Sequence, residues 1–300
     1  MAAILIKMYQ SAMEFIARLL LFNRNMPGGF LKTTDIIYSD TGKMDIFVPD
    51  KPFGTLPVII YIHGGGWTTG SKKTSARQCA LFAREGYLVL NMEYRLGPKY
   101  KHPDQIEDIA NVLSWMNKNA KKYNADTNKV FFAGSSAGAH LSCLAVCIAT
   151  NDNLRERIGV DFPIKGDQIA GSLLIYGGYN MESIIDSGFF MIKTMVKSYT
   201  GTNRPSEYEF KNQISPVHHI TEEFPPAFIT AGERDHLYSQ TTELIEVLDA
   251  KSVKYEKLLF DYSIKNAGHA FVNFYNRDCS KVAYKGMIEF LKKQSAGRIG

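Results

Sequence analysis

Six short, mainly apolar runs recur along this chain, at 58–62, 87–92, 129–133, 172–176, 227–231 and 255–260. Helical patterns lie between and after them, at 74–85, 103–122, 137–150, 238–251 and 280–293. A strand that is apolar at every position has no face left for water, so it needs cover on both sides, as in a parallel sheet. Two further runs, 34–38 and 44–48, alternate polar and apolar residues and suit an antiparallel pair at one edge. Strands alternating with helices predict an α/β fold: one eight-stranded, mostly parallel sheet with helices on both faces. Average domain size would divide 300 residues in two, but sheets of this kind often form one domain, and a 45% apolar share supplies a large core. We therefore read 1–300 as a single domain.

The run Val130 to His140 carries the first chemical signal. Its apolar approach ends in Gly134-Ser135-Ser136-Ala137-Gly138 and can continue as a helix. A serine on a sharp strand-to-helix turn is lifted above the sheet edge, and such a turn leaves no room for side chains two positions either side. Ser136 is thus a candidate nucleophile. The helix that begins there offers free N–H groups to negative charge, which makes the amide of Ala137 a candidate oxyanion donor. By itself the pattern is also what a Ser/Gly-rich turn would show. Upstream, the 58–62 strand ends in His63-Gly64-Gly65-Gly66-Trp67, glycines that let backbone amides approach a ligand at the sheet edge where α/β folds bind. Downstream, Asp235 follows the 227–231 strand, and His269 lies in the loop after the 255–260 strand. Both belong at the edge that carries Ser136. Glu233 and Asp261 are rival acids, one early in its turn and the other at a strand end. His63 reads as a brace for the glycine loop and His140 as a buried structural residue, while His236, His102, His218 and His219 carry no catalytic signal.

His63-Gly-Gly-Gly-Trp67, Gly134-Ser-Ser-Ala-Gly138, Tyr94-Arg-Leu-Gly-Pro98 with Pro103 and Glu107-Asp108, Gly232-Glu-Arg-Asp235 and Gly268-His-Ala-Phe271 occur in order. In these motifs the chain resembles the hormone-sensitive-lipase-like α/β-hydrolase carboxylesterases from about Val58 to its end. It departs at Ser135, where that family usually has Asp. His140 is similar to a neighbouring branch of kynurenine-formamidase-like and acetyl- or feruloyl-esterase-like hydrolases. The resemblance implies an α/β-hydrolase fold with a small helical cap and a Ser136–His269–Asp235 triad. It also implies an oxyanion hole built from Gly65 and Gly66 with Ala137, Gly64 shaping the turn, and no metal or organic cofactor. Trp67, Ser135 and Phe271, beside these motifs, are expected to bind substrate.

The remaining composition narrows partners. A formal charge of +5 spread over scattered Lys and Arg does not imply nucleic acid, and the short runs Lys72-Lys73 and Lys292-Lys293 read as solvated faces. Cys143 and Cys147 fall one helical turn apart, but no His or Cys pair completes a metal site. With Cys79 and Cys279 they read as small buried hydrophobes in a reducing, cytoplasmic setting. The apolar stretch 2–22 is interrupted by Lys7, Glu14 and Arg18, which rules out a bilayer span and indicates an amphipathic helix. By resemblance, 1–30 is read as part of a cap, with surface membrane contact as the other reading. Residues 179–212, rich in Phe189, Phe190, Met191, Met195 and Tyr199, interrupt the strand–helix alternation and are read either as a lid or as core packing. The expected activity is hydrolysis of short-chain carboxylic esters of small molecules. The alternatives are an amidase or formamidase, a carbohydrate acetyl-esterase and, last, a non-catalytic binding protein of the same fold.

Overall fold

The computed structural model describes residues 26–202 and 204–296. All eight expected strands form: β1 (Phe30–Ser39), β2 (Gly42–Pro49), β3 (Leu56–Ile62), β4 (Leu88–Met92), β5 (Ala125–Ser135), β6 (Ile169–Ile175), β7 (Ala227–Gly232) and β8 (Tyr255–Phe260). They make one sheet in the order β1-β2-β4-β3-β5-β6-β7-β8. The β1–β2 and β2–β4 pairings are antiparallel and the rest parallel. The five expected helices are present as α1 (Ala76–Arg84), α2 (Asp104–Tyr123), α3 (Ala137–Thr150), α6 (Tyr238–Ala250) and α7 (Asp278–Ala296). Two short ones, α4 (Asp152–Ile158) and α5 (Ile192–Thr200), join them. The helix expected over 2–22 lies outside the described residues.

Burial explains the run lengths. β4, β6 and β7 are buried at every position, whereas β1 is mostly exposed. The 255–260 run, expected among the central strands, is instead the far edge of the sheet as β8 and is mostly half-buried, its Glu256 and Lys257 fitting a strand with one open side. Side chains of the central strands alternate between two cores, one per face. Val58, Ile60 and Ile62 join a cluster with α2, α3 and α6, while Ile59 and Tyr61 join a cluster with α1 and α7. The chain order reverses at β3, which has β4 on one side and β5 on the other. Ligand crevices form at such a switch point, outside the carboxyl ends of the strands. Ile62 of β3 sits in register with Gly134 of β5, so the glycine loop and the Ser136 turn emerge side by side.

Lys72 departs from the sequence reading. It is 3% exposed rather than solvated, and its ammonium pairs with Asp45 and, at 2.8 Å, with Asp35. A run of two lysines looks like a solvated face in sequence because the acidic partners of Lys72 lie far back in the chain, on β1 and β2.

Candidate active site

Ser136 occupies the turn between β5 and α3 with φ 54° and ψ −122°. A positive φ at a non-glycine residue costs energy, and the packing around it holds it there. A methyl group on Gly138 would overlap the Ile62 carbonyl, and one on Gly134 would overlap the backbone of Gly138. These two glycines are therefore what lets the turn close against β3. The Ser136 amide donates to the Ile175 carbonyl at 2.9 Å, which pins the turn to β6. Ala137 opens α3, so its own N–H has no acceptor within the helix.

Asp235 and His269 arrive from the far strands. The Asp235 carboxylate is 1% exposed. Its Oδ1 accepts from the Leu237 amide at 2.9 Å and its Oδ2 meets His269 Nδ1 at 2.7 Å. That contact fixes the proton on Nδ1 and leaves Nε2 as the acceptor, 3.0 Å from Ser136 Oγ. The rival acids are engaged elsewhere: Glu233 accepts from the Tyr262 amide and Asp261 from Ser263, both at 2.8 Å on the surface. His236 is exposed. Phe189 meets the His269 ring edge-on at 4.6 Å, and Tyr176 lies against it at 5.0 Å.

The glycine loop is braced from behind. His63 is 1% exposed, and burial pushes its pKa down to about 4, so the ring is neutral at pH 7. Its Nδ1–H donates to the Gly64 carbonyl at 2.8 Å. The Gly65 carbonyl accepts from the amides of Thr68 (3.2 Å) and Thr69 (3.1 Å). In a trans peptide, C=O and the following N–H point in opposite directions, so the amides of Gly65 and Gly66 face away from these partners. Tyr94 stacks on His63 at 4.3 Å and donates to its carbonyl at 3.0 Å. The Gly97 amide donates to the Trp67 carbonyl at 2.9 Å. The Tyr94-to-Pro98 motif thus supports the loop, and Arg95 within it is clamped by Asp104, Glu107 and Asp108.

Ser136, His269, Gly65, Gly66, Ala137, Trp67 and Ser135 all line one cleft. Phe271 does not line it. That residue is fully buried in the α1/α7 core, packed on Tyr176 and Phe260, because its side chain points away from the cleft, behind the His269 loop. Of the insertion, Ile184, Phe189, Ile192 and Met195 form a cleft wall, whereas Phe190 is 69% exposed and Met191 is not among the lining residues. The opposite side of α5 packs into the core. Tyr199 stacks on Trp67 at 5.0 Å. Trp67 Nε1–H donates to His140 Nδ1 at 3.1 Å, and His140 Nε2–H donates to the Ile214 carbonyl at 2.8 Å. His140 therefore ties the glycine loop, the elbow helix and the 179–214 segment together. His102 adds a second tie, to Tyr199 (3.2 Å) and Gln213 (3.0 Å). Sequence alone offered no partner for His102, because both lie about a hundred residues away.

No group of potential metal ligands, and no helix long and apolar enough to cross a membrane, occurs among the described residues. Lactobacillus rhamnosis esterase B superposes with a TM-score of 0.89 at 22% identity, covering 99% of this chain and 96% of that one. This likeness places the chain in the α/β-hydrolase fold. Mycobacterium tuberculosis LipM, a probable carboxylic ester hydrolase, is 30% identical over 210 residues, 68% of this chain and 48% of LipM. Esterase LipC of the same organism is 28% identical over 229 residues, 74% of this chain and 55% of LipC. The chain spans about half the length of these two relatives. The family model described as BD-FAE matches residues 44–248, well over half of the chain, and the protein belongs to that family.

Proposed function

We propose that the protein is a serine carboxylesterase that hydrolyses short-chain esters through an acyl-enzyme on Ser136. The observation that carries this reading is the continuous chain Asp235–His269–Ser136, with contacts of 2.7 and 3.0 Å, at the wall of a largely apolar cleft. The names of the related esterases support the same chemistry. In this reading His269 Nε2 takes the Ser136 proton as Oγ bonds to the ester carbonyl carbon, and Asp235 stabilises the imidazolium. The oxyanion meets the amide of Ala137 and those of Gly65 and Gly66, which face away from the donors that hold the Gly64 and Gly65 carbonyls. His269 then gives its proton to the departing alkoxide, and water, activated by the same imidazole, releases the acid.

The insertion 179–212 acts as a cap wall rather than a separate domain. Ile184, Phe189, Ile192 and Met195 close one side of the cleft and suit acyl groups from acetyl to about hexanoyl. Each methylene that fits gains about 0.8 kcal/mol, and overfilling costs roughly 1–3 kcal/mol. The partner is thus a small neutral ester, with neither nucleic acid nor a membrane-inserted segment required. Four buried, unpaired cysteines suit a reducing compartment such as the cytoplasm.

The test is a p-nitrophenyl ester series from acetyl to palmitoyl, run with labelling by a fluorophosphonate probe. We expect a peak at short acyl length, labelling at Ser136 only, and a Ser136→Ala variant with kcat lower by on the order of a million-fold. Labelling at Ser135, or a preference for palmitoyl over butyryl, would overturn the reading.

A further inference from the structure

The cleft has two unlike arms, one toward each face of the sheet. Toward the α2/α3 face it is lined by Ile184, Phe189, Ile192, Met195 and Leu237, all apolar. Toward the α1/α7 face it is lined by Tyr61, Thr74, Ser75, Ser135, Tyr176 and Asn273. Most of the polar groups on this second side have partners. Ser75 Oγ–H donates to Asn91 Oδ1 at 2.7 Å, and Gln78 Nε2–H donates to Asn273 Oδ1 at 2.6 Å.

Among the residues that line the cleft, Tyr176 has a buried hydroxyl left over; Gln78 Oε1 and the Tyr284 hydroxyl, outside the lining on the same face, are also unpartnered. Tyr176 is 2% exposed and lines the cleft, and its buried hydroxyl has no hydrogen-bond partner. Ser135 approaches it without the geometry of a full hydrogen bond. Buried polar groups are seldom left unpaired in folded proteins, and an exception calls for a ligand, water or function to fill it. The backbone adds a second, independent sign: Tyr176 sits at φ 37°, an outlier for a bulky residue, held there by its amide's bond to the Thr230 carbonyl at 2.8 Å. Residues held in strained conformations cluster where a side chain must be aimed.

We infer that this polar arm holds the hydroxyl-bearing alcohol part of the substrate, with the Tyr176 hydroxyl as its hydrogen-bond partner. The preferred substrate is then a short-chain monoester of a small polyol. The inference rests on the esterase reading. The assignment of limbs follows from where the proton goes. The bond that breaks joins the acyl carbon to the alcohol oxygen, and that oxygen collects its proton from His269 Nε2. The alcohol therefore leaves beside the His269 ring, against which Tyr176 lies, and the loop continues from His269 through Ala270 to Asn273 along the polar arm. Phe189 closes the other side of the ring. Met195 packs over Gly66, which puts the apolar arm next to the site proposed for the carbonyl oxygen.

The experiment compares kcat/KM for 2,3-dihydroxypropyl butyrate, propyl butyrate and propyl 3-hydroxybutyrate in the full chain and in its Tyr176→Phe variant. We expect the full chain to favour the dihydroxypropyl ester over propyl butyrate by about tenfold or more, and Tyr176→Phe to erase roughly tenfold of that preference. The loss should fall on the dihydroxypropyl ester alone. Melting temperature should not fall, since the hydroxyl removed has no native partner. Equal rates for the first two esters in the full chain, or an equal loss on both in the variant, would overturn the inference while leaving the esterase reading intact. Preference for propyl 3-hydroxybutyrate would overturn the limb assignment. Absence of turnover on all three esters, with Ser136 unlabelled by fluorophosphonate, would refute the esterase reading and the inference with it.

Discussion

Two substitutions at His63 separate aiming of the glycine loop from packing beneath it. His63 does two jobs in one buried side chain: its Nδ1–H holds the Gly64 carbonyl at 2.8 Å, and its ring stacks on Tyr94 at 4.3 Å. His63→Phe keeps the ring and deletes the donor. The Gly64–Gly65 peptide is then free to rotate, and the Gly65 amide loses its aim. Removing one oxyanion donor outright costs about a hundred- to a thousandfold in kcat, and a loosened donor should cost less, about 10–100-fold. KM should stay within about twofold, because the amide acts mainly on charge that develops in the transition state. His63→Asn keeps a donor at the Nδ1 position and deletes most of the ring. It should hold kcat within about fivefold while losing the stacked pair and leaving a void, a stability cost of roughly 2–4 kcal/mol. The assay is p-nitrophenyl butyrate turnover alongside urea denaturation of both variants. Wild-type kcat in the Phe variant, or a larger kcat loss in the Asn variant than in the Phe variant, would refute the idea that His63 aims the loop.

Three further outcomes are expected. Asp235→Asn should lower kcat by roughly four decades with an unchanged fold, because it disturbs the His269 tautomer, while Glu233→Gln should cost less than about tenfold; steady-state kinetics on both variants would expose a misread turn if the two losses were reversed. Arg95→Ala should destabilise by about 3–5 kcal/mol, since it strands the fully buried Asp108 carboxylate; a denaturation midpoint within error of wild type would count against the clamp. His63, His102 and His140 are each pushed down to about 4 by burial, below the ordinary 6.5, so each is neutral in the fold and takes up a proton on unfolding between those values. Stability is fully present above about pH 6.5 and falls as pH drops toward 4, by about 2 kcal/mol per histidine at pH 5. Denaturation curves at pH 7 and 5 that coincide would refute this.

Much of this molecule was legible in its sequence because the signals are local. A strand covered on both faces must be largely apolar and a half-covered one alternates, so the eight strands could be read from runs of five or six residues, although the 255–260 run gave no sign that β8 closes an edge of the sheet. The elbow was equally legible, since Gly134 and Gly138 are demanded by backbone contact within the turn and its neighbouring strand. Asp235 and His269 could be placed at the correct edge because each follows a strand of a parallel sheet. What tertiary structure alone decided are pairings across long separations. Lys72 looks solvated until β1 and β2 bring Asp35 and Asp45 to it. His140 and His102 gain their roles only when α5 and residues 213–214 fold back on the glycine loop. Phe271, adjacent to a site motif, turns into the core because the His269 loop presents only one side to the cleft. The unpartnered hydroxyl of Tyr176 has no sequence signature at all, since satisfaction of a hydrogen bond depends on every neighbour that fails to reach it. Composition and periodicity report which faces are buried; the chemistry of a cleft depends on which buried groups meet.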